Sequence, residues 1–306
     1  MGEAKRRRLA ISNGACLCGS TIAAKSCCWQ NNRWSKPPID LHLRDLPEDG
    51  AMEKCYLKSL GSCDGKLSRE HLISRSVLEF LYGTAGLQIS GLPWIERGQS
   101  REVPLDALTT KCLCRKHNSA LAPLDTAALQ FFQSIHNFIM DDKANQSFLV
   151  CGHDIERWLL KTTIAMAVSG NFGDENVPWR GDFISGLDYV KLLDEPKSWA
   201  VGTGLYFTVR VDDVLNMRKH FQIAPHFNKE NQIVGIEANL YGIDVVLNLA
   251  PRNVSQQEHL RGAAFRMEKI KFVSKGATRD FHISWFGQDK APSNSEGMSQ
   301  IHSIGA

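Results

Sequence analysis

The chain has 306 residues, 43% of them hydrophobic and 23% charged, which supports a packed core in one large or two smaller domains and excludes a disordered chain. A net charge of +3 permits a polyanionic partner without requiring one. No run approaches the roughly 18 apolar residues of a membrane span, and the basic start MGEAKRRRLAIS has no apolar stretch behind it, so a cytoplasmic protein with no membrane partner is expected. Nine cysteines are present, eight of them before residue 115. Without a secretion signal, clustered cysteines read as metal ligands before disulfides.

In chain order, residues 1–36 combine a basic start with the segment CLCGSTIAAKSCC (16–28). Its spacing, C-x-C-x8-C-C, predicts a structural zinc held by Cys16, Cys18, Cys27 and Cys28, with Gly19 turning the chain after the first pair. Thiolates at about 2.3 Å from the metal replace a core that so few residues cannot build. The segment resembles the SEC-C zinc knuckle, including Gly19 and Ser20, and departs from it at Thr21 and in the placement of Lys25. That resemblance implies a docking element for a protein partner. Residues 37–54, with Pro37-Pro38, Pro47 and Gly50 at their edges and interior, read as a linker.

Residues 55–150 hold the second group of cysteines and the stretch LSREHLISRSVLEF (67–80), a strand running into a helix with Glu70 and His71 side by side. Cys55 and Cys63 precede the pair, and Cys112 and Cys114 follow it. CRKHNSALAPLD (114–125) then starts a helix carrying His117 and Asn118. Between them, 83–105 is Gly-rich and irregular, and 118–142 is helical, with Leu124, Ala128, Phe131, Phe132 and Ile135 on one stripe. Over roughly residues 55–130 this order resembles the HNH nucleases of the ββα-metal (His-Me finger) class. SREHLIS matches the first strand of that class and LCRKHN the start of its helix. Thr109-Thr110 stand where the family carries its central Asn, and Lys116 where a fourth cysteine is usual.

The resemblance implies a second structural zinc on Cys55, Cys63, Cys112 and Cys114. It also implies a catalytic centre, and the chemistry of the residues agrees. A neutral imidazole with an ordinary pKa of about 6.5 suits a general base, which assigns His71. A hard cation, Mg²⁺ or Mn²⁺, wants a carboxylate and open positions, which assigns Glu70 and His117 as its ligands and Asn118 as an orienting group. Adjacent strand residues face opposite ways, so Glu70 and His71 are expected to have separate tasks.

Residues 151–306 are expected to form a further α+β domain of unassigned role. It would hold a helix over 154–170 capped by Asp154 and stopped at Gly170, and a short helix within 181–196. Strand-like runs follow at 204–212, 220–227, 232–250 (a hairpin turning at 241–242), 266–274 and 281–287, and a polar tail after Gln288. The fold class expected is therefore α+β: a zinc knuckle, a ββα-metal HNH domain, and an antiparallel sheet with helices. The function expected is metal-dependent hydrolysis of DNA phosphodiesters, in a setting of bacterial or phage defence. A protein partner would dock through the knuckle or the C-terminal domain. RNA as the substrate and a non-catalytic, zinc-stabilised binding module are the alternatives.

Overall fold

The computed structural model describes residues 3–140, 147–174, 177–208, 213–215, 221–251, 260, 262–274, 277–285 and 300–303. These form a mixed α/β structure with several sheets and few helices. Among them no helix is long and apolar enough to cross a membrane.

Helix α1 (Glu3–Asn13) leads into the first cysteine segment, which is followed by the short strands β1 (Trp29–Gln30) and β2 (Arg33–Trp34). Asn31 and Asn32 turn between them at φ 52° and 63°, a left-handed pair that asparagine tolerates. Next comes the pair β3 (Leu67–His71) and β6 (Thr109–Cys114), antiparallel to each other, with α2 (Arg75–Tyr82) and the hairpin of β4 (Leu87–Ser90) and β5 (Ser100–Val103) between them in sequence. The irregular loop expected over 83–105 is thus mostly a hairpin. Helix α3 (Arg115–Met140) continues directly from β6. Its buried residues Leu121, Leu124, Ala128, Phe131, Phe132 and Ile135 recur at spacings of one to four and form a single stripe.

Strand β7 (Phe148–Cys151) feeds α4 (Gly152–Val168), whose residues are buried from Gly152 through Ala167. A helix enclosed on all sides is normally apolar all round, yet α4 carries Asp154, Glu156, Arg157 and Lys161. Each is matched. Arg157 Nη2 lies 2.7 Å from Asp154 Oδ1, and Asp154 also accepts from the Ile39 amide at 3.0 Å. Glu156 accepts from Arg266 Nε at 2.8 Å and from the Leu205 amide at 2.8 Å. Asp154 therefore does not cap the helix as expected. The helix starts two residues earlier, and the carboxylate is drawn inward by Arg157. The residues expected as a linker, 37–54, lie against this core: Leu41 and Leu43 are buried, and the Leu43 amide donates to Asp194 Oδ1 at 2.9 Å.

Two short strands, β8 (Gly173–Asp174) and β9 (Val177–Pro178), precede α5 (Tyr189–Asp194), where Asp188 caps the Lys191 amide at 2.9 Å. Two five-stranded sheets complete the fold from β10 (Gly204–Phe207), β11 (Asp213–Leu215), β12 (Phe221–Phe227), β13 (Ile233–Leu240), β14 (Ile243–Asn248), β15 (Ala264–Phe265), β16 (Lys269–Ser274), β17 (Ala277–Ser284) and β18 (Gln300–Ser303). The order β12-β13-β14-β10-β15 is antiparallel throughout, and its β13–β14 hairpin turns at Tyr241-Gly242 as expected. The second sheet, β11-β18-β16-β17-β7, departs from the expected antiparallel arrangement. Only β16–β17 is antiparallel in it, because β7 and β18 arrive from distant parts of the chain. The expected strand ends at 209–212, 220 and 286–287, and the tail from Gln288 to residue 299, lie outside the described residues.

The junction of β7 and α4 admits no side chain at Gly152. A Cβ there would sit 2.3–2.4 Å from carbons of the Trp285 ring. That ring is held by its Nε1 bond to the Met267 carbonyl at 3.0 Å and by His153 packed edge-on. Gly152→Ala should therefore destabilise the protein by about 1–3 kcal/mol, read as a lower urea midpoint at unchanged slope. A midpoint equal to wild type would show that the ring moves freely.

Candidate functional site

The first cysteine segment folds as a closed knot. The Cys16 amide bonds to the Ile22 carbonyl, the Gly19 amide to the Cys16 carbonyl, and Gly19 turns at φ 85°. Cys16, Cys18, Cys27 and Cys28 come together, with Cys18 Sγ 3.3 Å from Cys16 Sγ and 3.6 Å from Cys27 Sγ, and Cys27 Sγ 3.6 Å from Cys28 Sγ. Tetrahedral thiolate zinc places sulfurs about 3.8 Å apart, so this group could hold zinc. The knot packs on the chain's own second sheet. The Leu149 amide of β7 donates to the Leu17 carbonyl at 3.1 Å, Leu149 packs on Cys16 and Cys28, and Trp34 lies tilted against His282 of β17.

The second cluster joins three separate pieces of chain. Cys55 and Cys63 come from the loops before β3, Cys114 ends β6, and His117 lies in the first turn of α3; all four are buried. His117 Nδ1 lies 3.3 Å from Cys55 Sγ and 3.8 Å from Cys63 Sγ. Its Nε2 pairs with Ser62 Oγ at 2.8 Å; with the ring proton given to Ser62, Nδ1 presents its lone pair to the thiols. Burial, then Lys116, lowers the His117 pKa and keeps the ring neutral, the form a metal takes. Burial pushes the Cys55 thiol up to about 12 and raises Cys63 as well, so only a cation can keep these sulfurs as thiolates near neutral pH. The amides of Cys114 and His117 already point at sulfur, each at 3.4 Å. The Cys3His set could hold zinc.

Two expectations are corrected here. Cys112 was expected as the fourth sulfur and His117 as a ligand of a separate catalytic cation; instead His117 takes the fourth place. The cause is a β-bulge. Ser68 pairs with Leu113 and Glu70 with Thr110, so Arg69 alone faces both Lys111 and Cys112. Strand alternation fails there, and Cys112, Leu113 and Cys114 are buried in succession. Burial raises the Cys112 thiol to about 12, with the Glu70 and Cys55 charges as the next causes, and its sulfur is not among the four atoms that come together.

Glu70 and His71 line a cleft of about 410 Å³ together with Arg69, Arg75, Asn118 and Asp125. Glu70 is buried at the floor, its Oε1 2.7 Å from Lys161 Nζ of α4. Burial raises the Glu70 pKa, while the Lys161 ammonium and the nearby Asn118 amide oppose the rise. Asn118 Nδ2 donates to Ser68 Oγ of β3 at 2.8 Å, which ties the helix start to the strand. His71 is half-buried. Burial, then the Arg75 guanidinium, lowers its pKa, so the ring is neutral at neutral pH. Its Nε2 makes no hydrogen bond; Asp106 Oδ1 lies 3.6 Å away. Arg75 bridges Glu79 at 2.7 Å and Asp106 at 3.0 Å at the mouth.

The structure thus brings Glu70, His71 and Asn118 together and leaves His117 apart from them. Neighbours on a helix are about 100° apart, so His117 and Asn118 cannot serve one centre. The residue missed from sequence is Lys161, while Asp125 reads there as a capping residue. The signal for Lys161 was present: it is the only charge in WLLKTTIAMAV (158–168). Asp125 looks like an ordinary helix residue until Lys161 is known to reach it.

The two clusters predict about two zinc ions per chain in elemental analysis. Cys112→Ser should retain both. Cys114→Ala and His117→Ala should each lose one and lower the melting temperature. Loss of zinc from Cys112→Ser would contradict the assigned set.

No family model matches this chain, and neither a curated protein nor a solved structure matches it, so the reading of the site rests on its own geometry and chemistry.

Proposed function

We propose that the protein is a metal-dependent nuclease of the HNH, ββα-metal kind, acting on DNA phosphodiesters in the cytoplasm. The observation that carries this reading is the convergence of a neutral imidazole, a carboxylate and an amide, His71, Glu70 and Asn118, in one cleft with Arg69 and Arg75 at its edge. The cleft lies between β3, α2 and the first half of α3.

His71 is the general base. Its neutral ring takes a proton from water as the water oxygen bonds to phosphorus. The phosphorus–O3′ bond breaks, the 3′ oxygen leaves and takes up a proton from solvent, and the products are a 5′-phosphate and a 3′-hydroxyl. Arg69 and Arg75 hold backbone phosphates at the mouth. A hard cation, Mg²⁺ or Mn²⁺, would be held by the Glu70 carboxylate, with the Asn118 amide beside it in the cleft. When bound, such an ion supplies charge stabilisation at the phosphate and the leaving oxygen.

One observation favours a second reading, a zinc-stabilised module that binds nucleic acid or protein without cutting: Glu70 already has a buried partner in Lys161. Catalysis separates the two. With Mg²⁺ or Mn²⁺, wild type should nick or cut plasmid DNA, and His71→Ala should be slower by about 100-fold or more with its zinc content unchanged. Equal rates for wild type and His71→Ala, or no cutting of duplex DNA, single-stranded DNA or RNA by either, would remove the enzyme reading. Cutting confined to RNA would change the substrate and keep the chemistry.

A further inference from the structure

Lys161 belongs to α4, outside the β3–β6–α3 unit, and reaches the floor of the cleft from behind. Its ammonium lies 2.7 Å from Glu70 Oε1, 2.8 Å from Asp125 Oδ1 and 2.7 Å from Asp125 Oδ2, with only 3% of the side chain exposed. Asp125 also accepts from the Ser74 hydroxyl, which in turn accepts from Trp158 Nε1 at 2.7 Å. Glu70 meets Lys161 through one oxygen, and both carboxylates line the cleft where Lys161 does not. Two carboxylates meet one ammonium, so these three groups together are net negative, with Arg69 and Arg75 as the other charges of opposite sign lining the cleft.

An ammonium and a divalent ion drawn to the same enclosed carboxylate repel each other strongly, because little water screens them. We propose that Lys161 is a positioning residue of the site, a resident counter-cation with which a divalent ion competes for Glu70, so that Lys161 sets the cation concentration at which the site fills. This rests on the reading of Glu70 as a cation ligand. It accounts for both halves of the arrangement. Without the divalent ion, Glu70 is stable in the core because Lys161 matches it. With the ion, Lys161 keeps Asp125 as its partner and remains matched.

Mn²⁺ binding to the zinc-loaded full chain tests this, read from loss of the spin-resonance signal of aqueous Mn²⁺ and so independent of cleavage. Lys161→Met and Lys161→Gln should bind Mn²⁺ at least 10-fold more tightly than wild type. Lys161→Arg, which keeps the charge, should stay within about threefold of wild type, and adding Glu70→Gln to Lys161→Gln should abolish the gain. Mn²⁺ should also raise the melting temperature of the Met and Gln variants more than that of wild type, since it replaces the missing charge. Unchanged or weaker binding in both variants overturns the proposal, as does a gain that survives Glu70→Gln. Variants that fail to fold even with Mn²⁺ supplied also overturn it. If the gain through Glu70 is found while wild type cuts no nucleic acid, the nuclease reading fails and the competition at Glu70 stands.

Discussion

The structure depends on the matching of the charges that α4 carries into the core. A helix enclosed along nearly its whole length leaves no water to solvate Asp154, Glu156, Arg157 or Lys161, and an unmatched buried ion costs several kcal/mol. Each charge therefore dictates what must lie beside it. Asp154 and Arg157 fix the 37–54 segment through the Ile39 amide and carbonyl. Glu156 fixes the start of β10 and the turn at Arg266. Lys161 fixes β3 and α3 through Glu70 and Asp125. Three parts of the chain that read as separate in sequence are held to one helix.

The sequence was most legible where chemistry is local. The spacing of Cys16, Cys18, Cys27 and Cys28 closes a knot within 13 residues, and no distant segment had to be known to find it. The stripe on α3 and the Tyr241-Gly242 turn follow from period and from backbone freedom. Legibility failed where a non-local event changed a local rule. The bulge opposite Arg69 turns Cys112 away from the sulfur cluster, and no pattern in TTKCLC announces it. The linker-like composition of 37–54 conceals a segment whose backbone amides serve as donors to carboxylates of α4 and α5.

The same limit explains the knuckle. Resemblance to a docking motif pointed outward, to a protein partner. In the structure the surface of the knot that includes Leu17 and the buried sulfurs is covered by β7, and Trp34 beside it is covered by His282 of β17. Burial holds the His282 imidazole well below its ordinary pKa, to about 4, so the ring stays neutral and its contact with Trp34 is apolar under ordinary conditions. Edge strand β7 is closed on its outer side by the Leu17 carbonyl, which blunts an edge that would otherwise offer pairing to another chain.

The second cluster and the cleft meet at one peptide. His117 and Asn118 are consecutive, and the helix turns them about 100° apart, one into the sulfur site and the other onto the Glu70 side. Neither can move without the other. Ser62 and the thiols fix the His117 ring from one side, and Ser68 holds the Asn118 amide from the other. A cation held among the sulfurs would do more than stabilise a loop-rich segment. It would set the start of α3, and through it the distance between the helix and the strand that bears Glu70 and His71. The cleft's carboxylate, imidazole and amide come from strand and helix ends, which fray when unsupported, and the cluster at their junction gives those ends a fixed geometry.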